Sequence, residues 1–374
     1  MSLNKLTTAA FLTFSVLAVL SCKKDEDETY PSLGGSIKIE GLELFMDAST
    51  TESRTIRVKP SGAIHPEGKE VGYSWKVSPV MKEYKTTRLE NGLDENGKPS
   101  DGSFEYQIKD SLGTYTVYCS AFAEGYSSIQ GTAYTTLVKT GKDGSITDSG
   151  IYDNSRELEG TPYRYVTVGG LDWINSNIYE DGRGVAYRNA DPMAGVFGRY
   201  YSHDEAVAAC KGLPGGNWRL PTESDWVKTA RSLVKDNPDA PQIEEFSNIL
   251  WDKETNGTPT IASLLMADAS FNGTKMWEYW PAVGEISNGS GLAFLPVGYS
   301  NLGVTPAAKS TVSYPDASFE GLYEYSAFWT GSEVENNGNK AYYRYIIATQ
   351  PHLMIGKAYK ISFGASVRCV RDAR

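Results

Sequence analysis

The feature that most constrains this chain is the stretch from Gly216 to Trp226, which reads Gly-Asn-Trp-Arg-Leu-Pro-Thr-Glu-Ser-Asp-Trp. Thr222 is placed to cap a helix, and Asp225 stands three residues later, where a carboxylate bonds back to the cap. An apolar stripe at helical spacing follows, made of Trp226, Ala230, Leu233 and Val234. The stretch therefore predicts an amphipathic helix that packs through this stripe.

Two more helices and a set of strands are predicted around it. Ser202 and Glu205 form a second capping box, which opens a short helix from Asp204 to Cys210. A third helical segment is predicted after Pro241, with apolar residues at Ile243, Phe246, Ile249 and Leu250. The predicted strands are Tyr163 to Ile174, Leu292 to Tyr299, Ser326 to Thr330, Ala341 to Thr349 and Ile361 to Val370.

Length, charge and the scarcity of metal-binding residues narrow the class of protein. With 374 residues the chain is long enough for two or three domains, and its 24 Tyr and 37 Gly favour strands and turns. A formal net charge of -10 argues against nucleic acid as a partner. Because the 3 His are scattered and no Cys-x-x-Cys pair occurs, we predict no metal and no cofactor.

Residues 1–22 have the pattern of a lipoprotein signal peptide. Lys5 precedes an apolar run, Ala9 to Leu20, which is too short to span a bilayer. The ending Leu-Ala-Val-Leu-Ser-Cys resembles a bacterial lipobox, in which the thiol of Cys22 is acylated and the acyl chains insert into membrane lipid. The alternative is an ordinary secretory signal with a chance cysteine, but no Ala-x-Ala cleavage site precedes Cys22.

Residues 23–35 are predicted to be an acidic tether. They begin Lys-Lys-Asp-Glu-Asp-Glu and contain too little apolar surface to fold alone. The acidic run also resembles the signal that sends Bacteroidetes-type lipoproteins to the outer face of the outer membrane. We therefore predict a lipid-anchored protein of the outer membrane that faces the exterior, and the tether also serves as a solvated spacer.

Residues 36–139 predict an all-β unit, because polar and apolar residues alternate in several runs separated by Asn-Gly turns. Trp75 on an early strand, and Tyr115 at the start of a later one, resemble the core Trp and the corner Tyr of an immunoglobulin-like β-sandwich. The resemblance implies a spacer role. No second cysteine lies in this unit, so Cys119 is predicted to be a buried free thiol. Residues 140–159, rich in Gly, Asp and Ser, are the predicted linker.

A series of short motifs runs through residues 160–374 in a fixed order. They are Gly-x-x-Trp at Gly170, Gly-Arg-x-Tyr at Gly198, Ala-Cys at Ala209, Trp-Arg-Leu-Pro-Thr at Trp218, Phe-Leu-Pro-x-Gly-Tyr at Phe294, Phe-Trp-Thr at Phe328, Ala-Tyr-Tyr-Arg at Ala341, and Ser-Val-Arg-Cys-Val-Arg at Ser366. This order resembles the Fibrobacter succinogenes major paralogous domain, which is common in surface proteins of the Bacteroidetes and their relatives. The resemblance implies the α+β fold of C-type lectin-like domains.

The resemblance also implies roles for individual residues. In an oxidising compartment, Cys210 and Cys369 are the natural disulfide pair, with two free thiols as the alternative. Arg219 is expected to be a structural hydrogen-bond donor rather than a ligand contact. Trp173, Trp226 and Trp329 are expected in the core.

An enzymatic function is not predicted. Formylglycine-generating enzymes have a similar fold and a similar Arg-Leu-Pro-Thr stretch, but they need a reactive cysteine pair that this domain lacks once its two cysteines are joined. The Glu-Pro-Asn and Trp-Asn-Asp signatures of calcium-dependent sugar binding are also missing. Paired carboxylates for glycoside cleavage stay open as an alternative, because sequence does not reveal whether two acids share a cleft.

What remains is a binding face, and the candidate ligand-binding residues are Trp277, Trp280, Tyr314 and Tyr323. They lie in a loop-rich span where flat rings can stack on sugars, with Asn272, Glu278 and Asn288 as candidate hydrogen-bonding helpers. The alternative for each ring is core packing. We predict adhesion or polysaccharide capture through an extracellular glycan. The alternative is a structural or tip subunit that assembles with other surface proteins.

Overall fold

The computed structural model describes residues 30–89, 91–148, 154–305 and 313–373. The protein is mostly β-sheet with few helices, as its composition predicts. The predicted signal peptide, Cys22 and the charged start of the tether lie outside the described residues. Within the described ranges, no helix combines the length and the apolar character that crossing a membrane requires.

In the N-terminal unit, the residues that the structure describes form eight strands. They are β1 (Gly34–Glu40), β2 (Phe45–Asp47), β3 (Thr55–Ile64), β4 (Gly72–Val77), β5 (Lys82–Thr86), β6 (Phe104–Gln107), β7 (Gly113–Phe122) and β8 (Ile129–Val138). Three of them form a sheet in the order β1-β3-β6, and the other five form a sheet in the order β2-β8-β7-β4-β5. Side chains from both sheets meet in one apolar core, so the unit is a β-sandwich.

Trp75 and Tyr115 are both buried in the core of the sandwich. Trp75 is fully buried in the sandwich core, and its indole N–H donates to the carbonyl oxygen of Gly102 at 3.0 Å. The hydroxyl of Tyr115 donates to the carbonyl oxygen of Ser111, four residues upstream. Cys119 is buried on the same strand and is a free thiol, as predicted.

The described residues of the C-terminal unit form fifteen further strands and four α-helices. The strands are β9 (Ile146–Asp148), β10 (Arg156–Glu157), β11 (Arg164–Val168), β12 (Leu171–Ile174), β13 (Val185–Ala186), β14 (Arg199–Tyr200), β15 (Ala269–Phe271), β16 (Thr274–Lys275), β17 (Val297–Asn301), β18 (Ser318–Leu322), β19 (Tyr325–Glu333), β20 (Lys340–Ile347), β21 (Met354–Tyr359), β22 (Phe363–Gly364) and β23 (Val370–Asp372). The helices are α1 (Ala194–Phe197), α2 (His203–Gly212), α3 (Glu223–Leu233) and α4 (Ile261–Leu265).

Two sheets organise the C-terminal unit and bring its ends together. The larger has the order β18-β17-β19-β20-β21, with β22 also paired to β17, and the smaller has the order β10-β11-β12-β23. Because β23 pairs with β12, the last strand closes against the first hairpin of the unit. A disulfide between Cys210 in α2 and Cys369 next to β23 ties the same ends, with 5.5 Å between the Cα atoms, so the predicted pair is confirmed.

The helix predictions are confirmed at two places and wrong at a third. Helices α2 and α3 begin at the predicted capping boxes, and in the second box Asp225 accepts from the backbone N–H of Thr222 at 2.8 Å. The predicted third helix after Pro241 is wrong, because only a 3₁₀ turn at Ala240–Gln242 forms there. The short helix α4, capped by Thr260, forms further along the chain instead.

A buried ion pair explains why the segment after Pro241 is not helical. The carboxylate of Glu223 accepts from the backbone N–H of Phe246 at 3.1 Å, and the guanidinium of Arg344 donates to the carbonyl oxygen of Ser247 at 2.7 Å. Glu223 and Arg344 also form two hydrogen bonds with each other. Nε and Nη2 of Arg344 each donate to one carboxylate oxygen of Glu223. Backbone groups that a helix would pair internally are therefore satisfied by side chains. Of the predicted apolar residues, Ile243 and Ile249 are buried, whereas Phe246 and Leu250 are exposed.

The two units share a hydrophobic core. Phe45 and Val138 of the sandwich pack in one cluster with residues of the C-terminal unit, including Tyr187, Val196 and Phe197. Between the units, within residues 140–159, β9 pairs with β15 in antiparallel register. Ile146–Asp148, part of the segment predicted as a linker, is thus paired into a sheet of the C-terminal unit.

Candidate functional site

The exposed ring of Trp280 is held on a short rigid turn. Just before it, Trp277 is fully buried, and just after it Val283 is 2% exposed, so both ends of the turn are anchored in the core. The carbonyl oxygen of Trp280 accepts from the backbone N–H groups of Val283 at 3.0 Å and Gly284 at 2.9 Å. Trp280 itself is 40% exposed, which places an aromatic ring at the surface on a fixed backbone.

Tyr323 lies in the two-residue turn between β18 and β19. Its backbone has a φ of 69°, a left-handed conformation that a bulky side chain rarely adopts. The turn is fixed because the N–H of Tyr323 donates to the carbonyl oxygen of Pro296 at 2.8 Å, and the N–H of Glu324 donates to Gly321 at 3.1 Å. Backbone strain that the surrounding structure maintains is frequent at binding sites.

Trp280 and Tyr323 line the same groove, which has a volume of about 610 Å³. Three pieces of chain form its walls: the β15–β16 hairpin with the turn that follows it, the β18–β19 turn, and the end of β20. The other lining residues are Thr274, Lys275, Met276, Glu278, Glu324, Ile347, Ala348 and Thr349. The size lies within the roughly 300–1,000 Å³ of small-molecule sites.

The chemistry of the groove combines aromatic rings with charged and hydroxyl groups. Glu278 and Glu324 are exposed carboxylates at the rim, and Lys275 forms an ion pair with Asp268 at 2.9 Å. Burial raises the pKa of the Tyr323 hydroxyl, and the neighbouring Tyr187 raises it further, so this hydroxyl stays a hydrogen-bond donor at neutral pH. The groove can therefore stack a flat apolar face and bond hydroxyl groups around it.

Two of the four candidate ligand-binding residues are wrong. Trp277 is fully buried, and its indole N–H donates to the carbonyl oxygen of Phe294 at 2.7 Å, so its ring faces the core. Tyr314 is 4% exposed, and its hydroxyl donates to the carboxylate of Glu205 at the start of α2 at 2.6 Å. Both rings serve packing, which is the alternative that the sequence leaves open for each of them.

Of the three candidate hydrogen-bonding helpers, one lines the groove and two do not. Glu278 lines the groove, whereas Asn272 binds the neighbouring unit, its side-chain amide donating to the carbonyl oxygen of Leu137 at 3.3 Å. Asn288 is buried, and its side-chain oxygen accepts from the backbone N–H of Ala293 at 2.9 Å. Thr274, Glu324 and Thr349 were missed as lining residues, and nothing in their local sequence distinguishes them from other surface residues.

Arg219 is a structural donor, as predicted. Its guanidinium forms an ion pair with Asp225, the carboxylate of the α3 capping box, with 3.1 Å for one of the two contacts. Trp173, Trp226 and Trp329 are all buried in the core, again as predicted.

In the part of the chain that the structure describes, no group of three or more His, Cys, Asp or Glu side chains is arranged to hold a metal ion.

The structure is thus that of a β-rich protein in which a disulfide joins Cys210 to Cys369 and two aromatic residues line a surface groove. The family model of the Fibrobacter succinogenes major domain matches residues 154–371, which is more than half of the chain. The chain therefore belongs to the Fibrobacter succinogenes major domain family. No curated protein matches the sequence.

Proposed function

We propose that this protein is a surface lipoprotein whose C-terminal domain binds an extracellular glycan in the groove of Trp280 and Tyr323. In this account, acyl chains on Cys22 anchor the protein in the outer membrane, and the sandwich, immunoglobulin-like in type, is a spacer. The C-terminal domain has a C-type lectin-like fold. It serves adhesion or polysaccharide capture without catalysis.

One observation carries the proposal: an exposed Trp and a strained Tyr line a single groove beside carboxylate, ammonium and hydroxyl groups. Aromatic rings stack on the C–H faces of sugars, and polar side chains around them bond the hydroxyls. Backbone hydrogen bonds hold the two turns that carry the rings, so little backbone entropy is lost when a ligand binds.

The glycan proposal is tested with the full chain in detergent on a broad glycan array, followed by calorimetry on the best ligand. Trp280→Ala is expected to weaken binding by about tenfold or more, since a buried stacking ring contributes about 1–3 kcal/mol. Tyr279→Ala is the matched control, because Tyr279 is an adjacent exposed ring that does not line the groove. Binding to no glycan, or equal losses in both variants, would refute the proposal.

The non-catalytic part of the proposal has its own test. Glu278 and Glu324 both line the groove, so a hydrolase with paired carboxylates is the competing function. Both side chains are exposed, whereas glycosidases hold their acid in an enclosed cleft. We expect no shortening of the bound glycan during long incubation. Cleavage that is lost in Glu278→Gln or Glu324→Gln would establish an enzyme instead.

The anchor is tested by mass spectrometry of the native protein. We expect an N-terminal peptide that begins at Cys22 and carries fatty acyl chains, and we expect Cys22→Ser to release the protein from the membrane fraction. A native N-terminus without fatty acid would contradict the lipoprotein assignment while leaving the glycan proposal intact.

The alternative, a subunit of a surface assembly, would need an open sheet edge for strand addition. The edge strand β21 carries the exposed Lys357, and the backbone N–H of Ile355 donates to the side chain of Asn248 at 3.2 Å. A charged and partly covered edge of this kind discourages strand addition, so this edge favours the binding function.

A further inference from the structure

A second cavity lies at the junction of the two units, away from the Trp280 groove. It has a volume of about 290 Å³, near the lower end of small-molecule sites. One wall comes from the connection between the units, including Lys139, Thr140 and Asp148, and the other from the C-terminal unit. The site therefore needs the connection between the units as well as the C-terminal unit.

Arg368 forms part of the cavity wall and is 1% exposed. All its protein acceptors are neutral: the side-chain oxygen of Asn177 at 2.9 Å, and the carbonyl oxygens of Ile174, Leu292 and Ala293. Among the described residues, no carboxylate forms an ion pair with it. A buried charge without an opposite charge is costly, and burial lowers the pKa of this guanidinium to about 9.

Two of the acceptors of the Arg368 guanidinium lie in the cavity wall. The acceptors of Nε and Nη2 belong to Asn177 and Ala293, which both line the cavity, whereas the two acceptors of Nη1 do not. Arg368 makes four hydrogen bonds and carries five N–H groups, so at least one N–H group has no acceptor within the described residues.

The remaining lining suits a small polar ligand. Side chains that can bond hydroxyl groups are contributed by Thr140, Asn175, Ser176 and Tyr179, and apolar walls by Val196, Phe197 and Leu295. Lys139 is exposed at the rim and adds a positive charge, while Asp148 contributes a half-buried carboxylate to the same lining.

We propose that this junction cavity binds a ligand of monosaccharide size that carries a carboxylate, namely a hexuronic acid unit, with the carboxylate directed at Arg368. The ligand supplies the negative charge that the buried guanidinium lacks, and the hydroxyl-bonding side chains hold the sugar ring. This site shares no lining residue with the Trp280 groove, and it needs the connection between the two units.

The proposal is tested by calorimetry with glucuronate as the probe and glucose as the neutral comparison, on the full chain in detergent. We expect glucuronate to bind in the millimolar range or better and glucose at least about tenfold more weakly. Lys139→Glu should weaken glucuronate binding about fivefold, because it reverses a rim charge. Lys142→Glu is the matched control: it makes the same charge change three residues away, outside the lining, and should leave binding unchanged.

A blocking variant and a second probe complete the test. Ser176→Phe fills the cavity from its half-buried rim and should abolish glucuronate binding while the thermal unfolding curve stays close to that of the parent. Trp280→Ala should not affect glucuronate binding, which separates this site from the groove. Equal affinity for glucose, unchanged binding in a folded Ser176→Phe, or equally tight binding of N-acetylalanine would each overturn the assignment to a hexuronic acid.

Discussion

Two buried arginines, Arg344 and Arg368, are satisfied by different kinds of acceptor. Arg344 and Glu223 form an ion pair in which both side chains are at most 1% exposed, and together they bind the segment after Pro241. Arg368 has only neutral acceptors in the described protein. Arg344 therefore supports the fold, and the positive charge of Arg368 is the one that the proposed ligand would neutralise.

The buried ion pair yields a prediction at this scale. Glu223→Ala leaves Arg344 buried without an opposite charge, so we expect the free energy of unfolding to fall by about 3–5 kcal/mol. Glu52→Ala, which removes the exposed partner of Arg57, should change it far less, because water screens an exposed ion pair. Urea unfolding of the two variants measures both. Similar losses would mean that the buried pair is not a major support of the fold.

Cys119 yields a second prediction. Burial raises the pKa of its thiol to about 12, so almost none of it is thiolate at pH 8. We expect iodoacetamide to leave Cys119 unmodified in the native protein at pH 8 and to modify it readily in urea. Peptide mass spectrometry reads out both conditions. Equal modification in the native and the unfolded protein would show that the sandwich core is open.

Helix α3 depends on a capping box that an arginine reinforces. Burial alone raises the pKa of Asp225, but hydrogen bonds from Arg219 and Thr222 outweigh that effect and hold the pKa below its usual value. Because the folded pKa is the lower one, the carboxylate's stabilising effect is complete above the unfolded pKa near 4 and is lost as the pH falls through the folded value.

We therefore expect Asp225→Asn to lose stability at neutral pH and to show a shallower further loss than the parent between about pH 4 and pH 2. Asp204→Asn, at an exposed first-turn position of α2, should keep the parent's pH slope. Urea unfolding at a series of pH values gives the slopes. An unchanged slope in Asp225→Asn would contradict the pKa direction assigned to this carboxylate.

The disulfide also stabilises individual elements, because it joins α2 to the residue just before the last strand across a sequence separation of 159 residues. The loop-entropy model gives about 5 kcal/mol as an upper figure for so long a loop, and measured losses are typically about 2–5 kcal/mol. The double variant Cys210→Ala, Cys369→Ala should lose stability in that range by urea unfolding. A loss below about 1 kcal/mol would mean that β23 is held by strand pairing alone.

Local signals predicted elements well where one short motif decides the structure. The capping boxes at Ser202 and Thr222 identified the starts of α2 and α3, because the bonds that begin a helix lie within four residues. The segment from Ile243 to Leu250 has apolar spacing close to helical, but its conformation depends on Glu223 and Arg344, and Arg344 lies about a hundred residues away. Sequence reasoning does not detect a partner at that distance.

At the scale of the whole molecule, the sandwich and the family domain share a core through Phe45 and Val138. We expect a single cooperative thermal transition for the full chain, since separating the units exposes this shared apolar surface. Phe45→Ala should lower stability by about 3 kcal/mol and disturb both units, whereas Tyr134→Ala, on an exposed ring of β8, should have little effect. Two well-separated transitions in calorimetry would contradict a shared core.

The groove shows that sequence alone does not predict which aromatic residues are exposed. Trp280 and Tyr323 were predicted because aromatic residues in a loop-rich span favour binding, and both line the groove. Trp277 and Tyr314 have the same residue types in the same span, yet they are buried. What separates the two pairs is long-range packing, on Phe294 for Trp277 and on Glu205 for Tyr314.

Hydroxyl-radical footprinting of the full chain, with and without the glycan that binds best, tests the groove most directly. We expect ligand to lower the oxidation of Trp280 several-fold and to leave its exposed neighbour Tyr279 unchanged. Equal protection of both rings, or protection of neither while the glycan stays bound, would contradict the assignment of the groove as the glycan site.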